Sequence, residues 1–323
     1  MRLIIVAAAI ALVAGQAAAD DFPARHLTII VPFSPGSPTD TVSRALAPGL
    51  SSILGQQVVV ENVTGAGGTT GVKRAARAAP DGYTMVMAST GTHAGAAALY
   101  PDLGYDPVGS FENIGLVGST PIAIMGRKDL PANSVPELIA YLRANEKSVS
   151  LAHAGVGSIS HIFCAYFDSL IGVHPVAVPF RGLPESTQAL LTGQVDFGCI
   201  QAPVAGAYVR AGTLKAFLVT GEQRAAMMAS VPTANEVALP KLTLGAWLAL
   251  QFPKGTPHAI VMKLNAALAR VLDDDETRAR FAALGIDIAP PEKRTPEWLT
   301  RFMHDEIARW QPLLEAEVAH GRQ

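Results

Sequence analysis

Short runs rich in Val, Ile and Met alternate along this chain with longer amphipathic stretches, and the alternation predicts an α/β fold. Leu27–Val31 reads as a strand, followed by a helix over Pro38–Leu54, a strand over Gln57–Glu61, a turn at Gly65–Gly71 and a helix through Ala79. A strand at Tyr83–Ser89 and a short Ala-rich helix near Thr92–Leu99 complete this series. A loop rich in Pro, Gly and Asp, Tyr100 to Ser110, then breaks the rhythm. Ile114–Gly126 stays apolar for longer than an ordinary strand of ~5–6 residues, as expected of a segment passing from one lobe into another. Behind a Ser134-Val-Pro-Glu137 capping box the pattern resumes. Strands are predicted at Val149–Ala152, Pro175–Val178, Val195–Ile200 and Leu214–Thr220, with helices from about Ser158, at Pro184–Thr192 and at Pro203–Ala211. A second long extended segment, Leu242–Phe252, carries the chain back. Helices at Pro257–Leu272, Asp275–Leu284 and Pro296–Ala319, with a short strand Ile286–Ala289, are predicted to return to the first lobe. Each lobe is expected to be a mostly parallel sheet with helices on both faces. Lobe 1 takes residues 20–121 and 247–323, lobe 2 takes 122–246, and two crossing strands form the hinge.

The first nineteen residues fall outside this pattern. Met1-Arg2 supplies a positive start, Leu3–Val13 an apolar core and Ala17-Ala18-Ala19 a small-residue cleavage site, which together predict a signal peptide over residues 1–19 and export to the periplasm. After Ala19 no apolar run of ~18 residues recurs, so the mature protein is expected to be soluble. Without Arg2, 24 Lys and Arg face 27 Asp and Glu, a formal charge of −3, which argues against nucleic acid as a partner. A hydrophobic content of 49% with 16% charged residues excludes disorder. Cys164 and Cys199 are in an oxidising compartment, where a disulfide is open to them. The favoured reading is two separate buried thiols, since neither has the spacing of a metal or redox pair.

Candidate chemistry lies at strand-to-helix turns. In Val31-Pro-Phe-Ser-Pro-Gly-Ser-Pro-Thr-Asp40, a strand breaks into a loop and a helix begins near Pro38, so unpaired amides and a helix dipole face any anion placed there. Pro32, Pro35 and Pro38 preorganise the loop, Gly36 permits a positive φ, and Ser34, Ser37 and Thr39 offer hydroxyls. Asp40 is expected to serve mainly structure, satisfying the helix start and pairing with Arg44. His153-Ala-Gly-Val-Gly-Ser-Ile-Ser-His161 is a second such loop, with Ala154, Gly155, Gly157 and Ser158 as its cradle and His161 beside it. Its Gly155-x-Gly157-x-x-Ser160 resembles a dinucleotide fingerprint, but the following strand ends without the acidic residue that ribose recognition needs. Two further turns follow strands: Thr90, Thr92 and His93 in one, Phe180 and Arg181 in the other. Asp196, beside Val195, is a weaker candidate. No Gly-x-Ser-x-Gly, Ser-x-x-Lys or His-Glu-x-x-His pattern occurs, so neither a catalytic residue nor a metal or cofactor is expected.

These segments together resemble the periplasmic solute-binding receptors of the tripartite tricarboxylate transporters, the Bug family. The resemblance spans the mature chain. It rests on Val31-Pro-Phe-x-Pro-Gly-x-Pro-Thr-Asp40, Val59-Val-Glu-Asn62 with Gly65-Ala-Gly-Gly68, Ala79-Pro-Asp-Gly-Tyr83 and Ala154-Gly-x-Gly-Ser158 with His161. Val178-Pro-Phe-Arg-Gly182, Gly193-Gln-Val-Asp196 and Val231-Pro-Thr233 with Glu236 complete it. It implies a two-lobed periplasmic binding protein of type II-like architecture, a monomer and not an enzyme. Such a receptor closes on a small carboxylate and delivers it to a permease of one large and one small membrane subunit. By the same resemblance the loops Phe33–Asp40 and Ala154–His161 grip the carboxylate, with Thr92, His93, Phe180 and Asp196 as secondary contacts. Departures are Ser37 where the family commonly has Gly, Phe180-Arg181 in place of Tyr-Lys, and unexpected residues at Cys199 and Gln201. The alternatives are a secreted α/β enzyme acting on a carboxylate ester and a receptor feeding a sensor kinase.

Overall fold

The side chains of β1 (Leu27–Val31) alternate between two cores in a computed structural model that describes residues 22–100 and 102–320. The signal peptide predicted over residues 1–19 lies outside them. Leu27, Ile29 and Val31 join Val42, Leu46 and Leu50 of α1 (Pro38–Leu54) on one face. Ile30 joins Val72, Val86 and Phe111 on the other. Burial on both faces is what a central parallel strand requires, and β1 pairs in parallel with β2 (Val58–Asn62) and β3 (Thr84–Ser89). The helix α2 (Thr69–Ala76) links β2 to β3, and a π-helical turn, Gly91–Gly95, runs from β3 into α3 (Ala96–Leu99).

The chain then enters β4 (Phe111–Arg127), 17 residues long. It continues through α4 (Val135–Ala144), β5 (Ser150–His153), α5 (Ile159–Ile171), β6 (Val176–Pro179), α6 (Leu183–Leu191), β7 (Phe197–Gln201), α7 (Ala202–Arg210) and β8 (Leu214–Val219). The return strand is β9 (Gly245–Pro253), followed by α8 (His258–Asp273), α9 (Asp275–Leu284), β10 (Asp287–Ile288) and α10 (Pro296–His320). From Phe111 to Pro121, β4 pairs with β9, and the first sheet runs β2-β1-β3-β9-β4-β10. From Ile122 to Arg127 it pairs with β7 and β8, and the second sheet runs β6-β5-β7-β4-β8. Parallel pairing holds among β1, β2 and β3 and among β5, β6 and β7, while every antiparallel pairing involves β4 or β9. The result is two α/β lobes threaded by two crossing strands.

In the second lobe Ile122 and Ile124 face a core with Phe163, Phe167 and Phe197, whereas Ala123 and Met125 face one with Leu190, Ile200 and Met228. The helix α10 touches both lobes. Leu299 and Met303 pack with Leu116 and Trp247 near the crossing strands. About two and three turns on, Trp310 and Leu314 enter the second lobe's core, with the Trp310 ring 5.2 Å from that of Phe163. Between them, buried Glu306 accepts from Trp247 Nε1 at 3.0 Å and Trp310 Nε1 at 3.1 Å.

The two cysteines correct the sequence reading. Cys164 of α5 and Cys199 of β7 form a disulfide, with Cα atoms 5.6 Å apart. Both side chains enter the same core because α5 lies across β7, a proximity that a separation of 35 residues does not reveal.

Candidate functional site

Four helices begin at the carboxyl ends of four parallel strands, where open α/β sheets place ligands. They are α1 after β1, α5 after β5, α6 after β6 and α7 after β7. Their first residues meet in one interlobe cleft. Phe33, Ser34, Ser37, Pro38 and Thr39 line it from the first lobe. From the second come Ala154, Ser158, Ile159 and Ser160, then Gly182, Leu183 and Gln201. The cleft holds about 380 Å³ of empty volume, its open mouth included, and no charged side chain among the described residues lines it. Four helix N-termini without a cation make a site whose positive potential comes from the backbone.

The caps decide which amides are free. Ser37 Oγ accepts from Asp40 N at 3.3 Å and Ser158 Oγ from His161 N at 3.3 Å, so both serines are N-caps. Ser37 N and Ser158 N are used within their own loops, by Ser34 O and Gly155 O. Pro38 has no N–H. Among the described residues, the N–H groups of Thr39, Ile159 and Ser160 make no hydrogen bond, nor does the Thr39 hydroxyl oxygen as donor or acceptor. Ser160 Oγ closes its own loop by accepting from Ala154 N at 2.9 Å, and lies 3.1 Å from Ser158 Oγ. Three unpaired amides and one unpaired hydroxyl from two opposed helices thus border the cleft, beside the Ser34 hydroxyl of the loop before α1, which also has no hydrogen bond among the described residues.

The first loop is held in shape by Asp40, as expected of it. Its buried carboxylate accepts from Gly36 N at 2.9 Å, Arg44 Nε at 3.0 Å and Asn62 Nδ2 at 2.9 Å. Burial works to raise the Asp40 pKa, but the bonds from Arg44, Gly36 and Asn62 outweigh it and hold the carboxyl below its ordinary value. Gly36 has φ +80° and is exposed beside exposed Pro35. Neither is among the residues lining the cleft.

Other sequence candidates lie elsewhere. His93 is fully buried, ringed by Tyr105, Phe111 and Trp247, with Nδ1 3.0 Å from Thr92 Oγ1. Burial pushes its pKa down to about 3. Thr90 Oγ1 accepts from Trp247 N at 2.9 Å, and Thr92 bonds Ser89 inside the same lobe. These three residues are fully buried in the wall of the first lobe and are not among those lining the cleft. Phe180 packs against the second lobe's core and Arg181 is exposed. Asp196 precedes β7 instead of ending it, so it stands at the strand's amino end, opposite Gln201. There its carboxylate accepts from Arg127 Nε at 3.0 Å and Ser150 N at 2.8 Å.

Behind the second cradle, His161 Nδ1 accepts from Gly157 N at 3.3 Å, and the His153 and His161 rings are 4.6 Å apart. Burial first, then the nearby His153, lowers the His161 pKa to about 4. Gly155 and Gly157 both have positive φ, 101° and 80°. The lobes touch around this loop: Tyr100 Oη donates to Val156 O at 2.7 Å. A Cβ on Gly91 would stand 2.8 Å from Gly157 O and 3.0 Å from Ile159 N.

Pro38, Ile159, Ser160, Gly182, Leu183 and Gln201 line the cleft without having been singled out as binding candidates. Each occupies a cap or first-turn position beside a predicted strand end, and that position was the available signal.

Two α/β lobes, two crossing strands and a cleft walled by helix N-termini are the architecture of a solute-binding protein. The family model of the tripartite tricarboxylate transporter family receptor matches residues 42–318, and the chain belongs to that family. It is 33% identical over 299 residues to Protein BugT of Bordetella pertussis, covering 92% of this chain and 91% of that protein. Among solved structures it resembles MatC (Rpa3494) from Rhodopseudomonas palustris with bound malate, at 40% identity and TM-score 0.86, over 91% of this chain and 100% of that one. R. palustris Rpa4515 with adipate is similar at 30% identity and TM-score 0.85, over 91% and 97% of the two chains.

Proposed function

We propose that this protein is a periplasmic receptor that captures a small carboxylate between its lobes and delivers it to a tripartite tricarboxylate-type permease. The observation that carries this reading is the cleft lining: free amides of Thr39, Ile159 and Ser160 at helix N-termini, with no charged side chain. Each charge-assisted bond to a carboxylate contributes about 1.5–3 kcal/mol before entropy losses. Three amides and the Thr39 hydroxyl therefore give about 6–12 kcal/mol before those losses, and together with apolar contacts to Phe33 and Leu183 they support micromolar affinity, about −8 kcal/mol. The bound malate and adipate of the related R. palustris structures agree with an acid ligand. The moving bodies are taken as residues 20–121 with 247–323 and residues 122–246, bridged by α10, whose Trp310 and Leu314 sit in the second body's core. A ligand bridging α1 and α5 touches both bodies, which is the condition for shifting the population toward the closed form.

Calorimetry of the chain lacking residues 1–19 against a panel of mono-, di- and tricarboxylates tests the reading. At least one acid is expected to bind at micromolar or tighter affinity, and its methyl ester to bind far more weakly. A panel in which no acid binds, or in which the ester binds as well as the acid, overturns it. Delivery is tested by uptake of that acid in cells carrying the permease subunits with and without this chain.

A further inference from the structure

The donors of the cleft have one counterpart. Gln201 is the last residue of β7 and the N-cap of α7, and it is the only lining residue whose side chain carries a carbonyl oxygen. It is 7% exposed, and its Nε2 donates to Thr120 Oγ1 at 3.2 Å. Thr120 Oγ1 in turn lies 3.5 Å from Ala246 O, which can only accept. The threonine hydroxyl therefore donates to Ala246 and accepts from Gln201, which fixes the amide orientation. Gln201 Nε2 is committed to the crossing strands, where Thr120 pairs with Ala246, and Oε1 is left without a hydrogen bond from any described residue.

We infer that Gln201, oriented by Thr120, selects ligands that carry a hydroxyl beside their carboxylate, its Oε1 accepting the hydroxyl proton. This rests on the carboxylate reading above and adds the chemistry of the rest of the ligand. Gln201 is 7% exposed, and its unpaired oxygen loses its remaining water when the lobes close, for which a bare acid gives nothing back. A hydroxyl fills that vacancy. A second ionised carboxylate cannot, because it has no proton to donate. An ammonium group has one, but no carboxylate lines the cleft to balance its charge, and Asp40 is already engaged by Arg44, Gly36 and Asn62. The favoured class is therefore hydroxycarboxylates over plain carboxylates and over amino acids.

The test arranges the acids as pairs differing by one hydroxyl: succinate and malate, propionate and lactate, phenylacetate and mandelate. Calorimetry of the chain lacking residues 1–19 is expected to give at least about tenfold tighter binding for the hydroxylated member of each pair that binds. Gln201→Leu removes the acceptor, and Thr120→Val frees the amide to turn its Nε2 to the cleft. Both are expected to bring the ratio within about threefold, a change in discrimination that a loss of packing alone does not cause. Equal affinity within every binding pair overturns the inference in the parent chain, whether or not the variants fold. A ratio retained in folded Gln201→Leu overturns it as well. Binding without discrimination defeats this inference alone, whereas a panel in which no acid binds defeats the carboxylate reading and this one together.

Discussion

At the scale of single residues, the site is a division of labour between groups that shape a loop and groups left over. Ser37 and Ser158 were legible as cradle residues, yet both oxygens are spent on caps, and the lining hydroxyls left without a hydrogen bond from any described residue are those of Thr39 and Ser34. Sequence shows that a hydroxyl is present but not which of two neighbours the backbone has already claimed. Thr39→Val keeps the amide and removes the hydroxyl. Calorimetry is expected to show about tenfold weaker acid binding with an unchanged melting temperature, since Thr39 Oγ1 supports nothing else in the fold. His93, His153 and His161 make a second prediction. Burial lowers all three pKa values, to about 3 for His93 and about 4 for His161, helped there by His153, so these groups stay neutral in the folded chain. The unfolded chain protonates them near 6.5, and between that pH and about 4 it binds more protons than the native state. Their contribution to stability is complete above pH 6.5 and is lost as pH falls, by about 1.4 kcal/mol per unit for His93 and for His161, with His153 adding in the same direction. Urea midpoints at pH 7 and pH 5, a window above most carboxylate titrations, are expected to show the loss. Equal midpoints would contradict it.

At the scale of elements, the pattern of apolar runs carried the fold well. The excess length of the segment around Ile114–Gly126 announced β4, which belongs to both sheets, and the capping box at Ser134 opens α4, where Ser134 Oγ accepts from Glu137 N at 3.4 Å. What it could not carry was position to within two residues. The predicted strand Val195–Ile200 runs from Phe197 to Gln201 in the structure, which puts Gln201 at its carboxyl end and leaves Asp196 just before its amino end, away from the ligand side. The turn at Thr90–His93 reads as an ordinary helix start, but its π-helical winding sends His93 into the core. The disulfide was equally hidden, because it depends on how α5 crosses β7. It also has a consequence for the site: it ties the helix that presents Ile159 and Ser160 to the strand that presents Gln201. Closing a loop of 35 residues stabilises the native state by about 3–4 kcal/mol in the chain-entropy account. Cys164→Ala with Cys199→Ala is expected to lower the urea-derived stability by roughly that amount. It should also weaken acid binding several-fold, as the two walls lose their fixed spacing. A variant as stable as the parent would show that packing alone holds α5 on β7.

At the scale of the whole molecule, the lobes are in contact, and the second lobe's loop offers its backbone to that contact. Tyr100 Oη reaches Val156 O across the cleft, and Gly91 allows its π-helical turn to lie against Gly157 O and Ile159 N. The same loop of the second lobe therefore serves two surfaces, one offering amides to the cleft and one resting on the first lobe. Closure and ligand capture are coupled because both need residues 155–159 in one conformation. Gly91→Ala separates them. Position 91 has no positive φ, so alanine costs no backbone strain there. Its Cβ, however, would stand 2.8 Å from Gly157 O and 3.0 Å from Ile159 N, closer than main-chain atoms tolerate. The open form has no such conflict if the lobes part. The variant is thus expected to keep its ligand-free melting temperature while binding the acid at least tenfold more weakly, with the loss mainly in the dissociation rate. Small-angle scattering is expected to show the parent contracting when the acid is added and Gly91→Ala failing to contract. A variant that binds and contracts as the parent does would mean that this contact stays closed throughout. The motion would then have to come from the crossing strands with α10 as a fixed brace, Glu306 holding Trp247 and Trp310 together in both states.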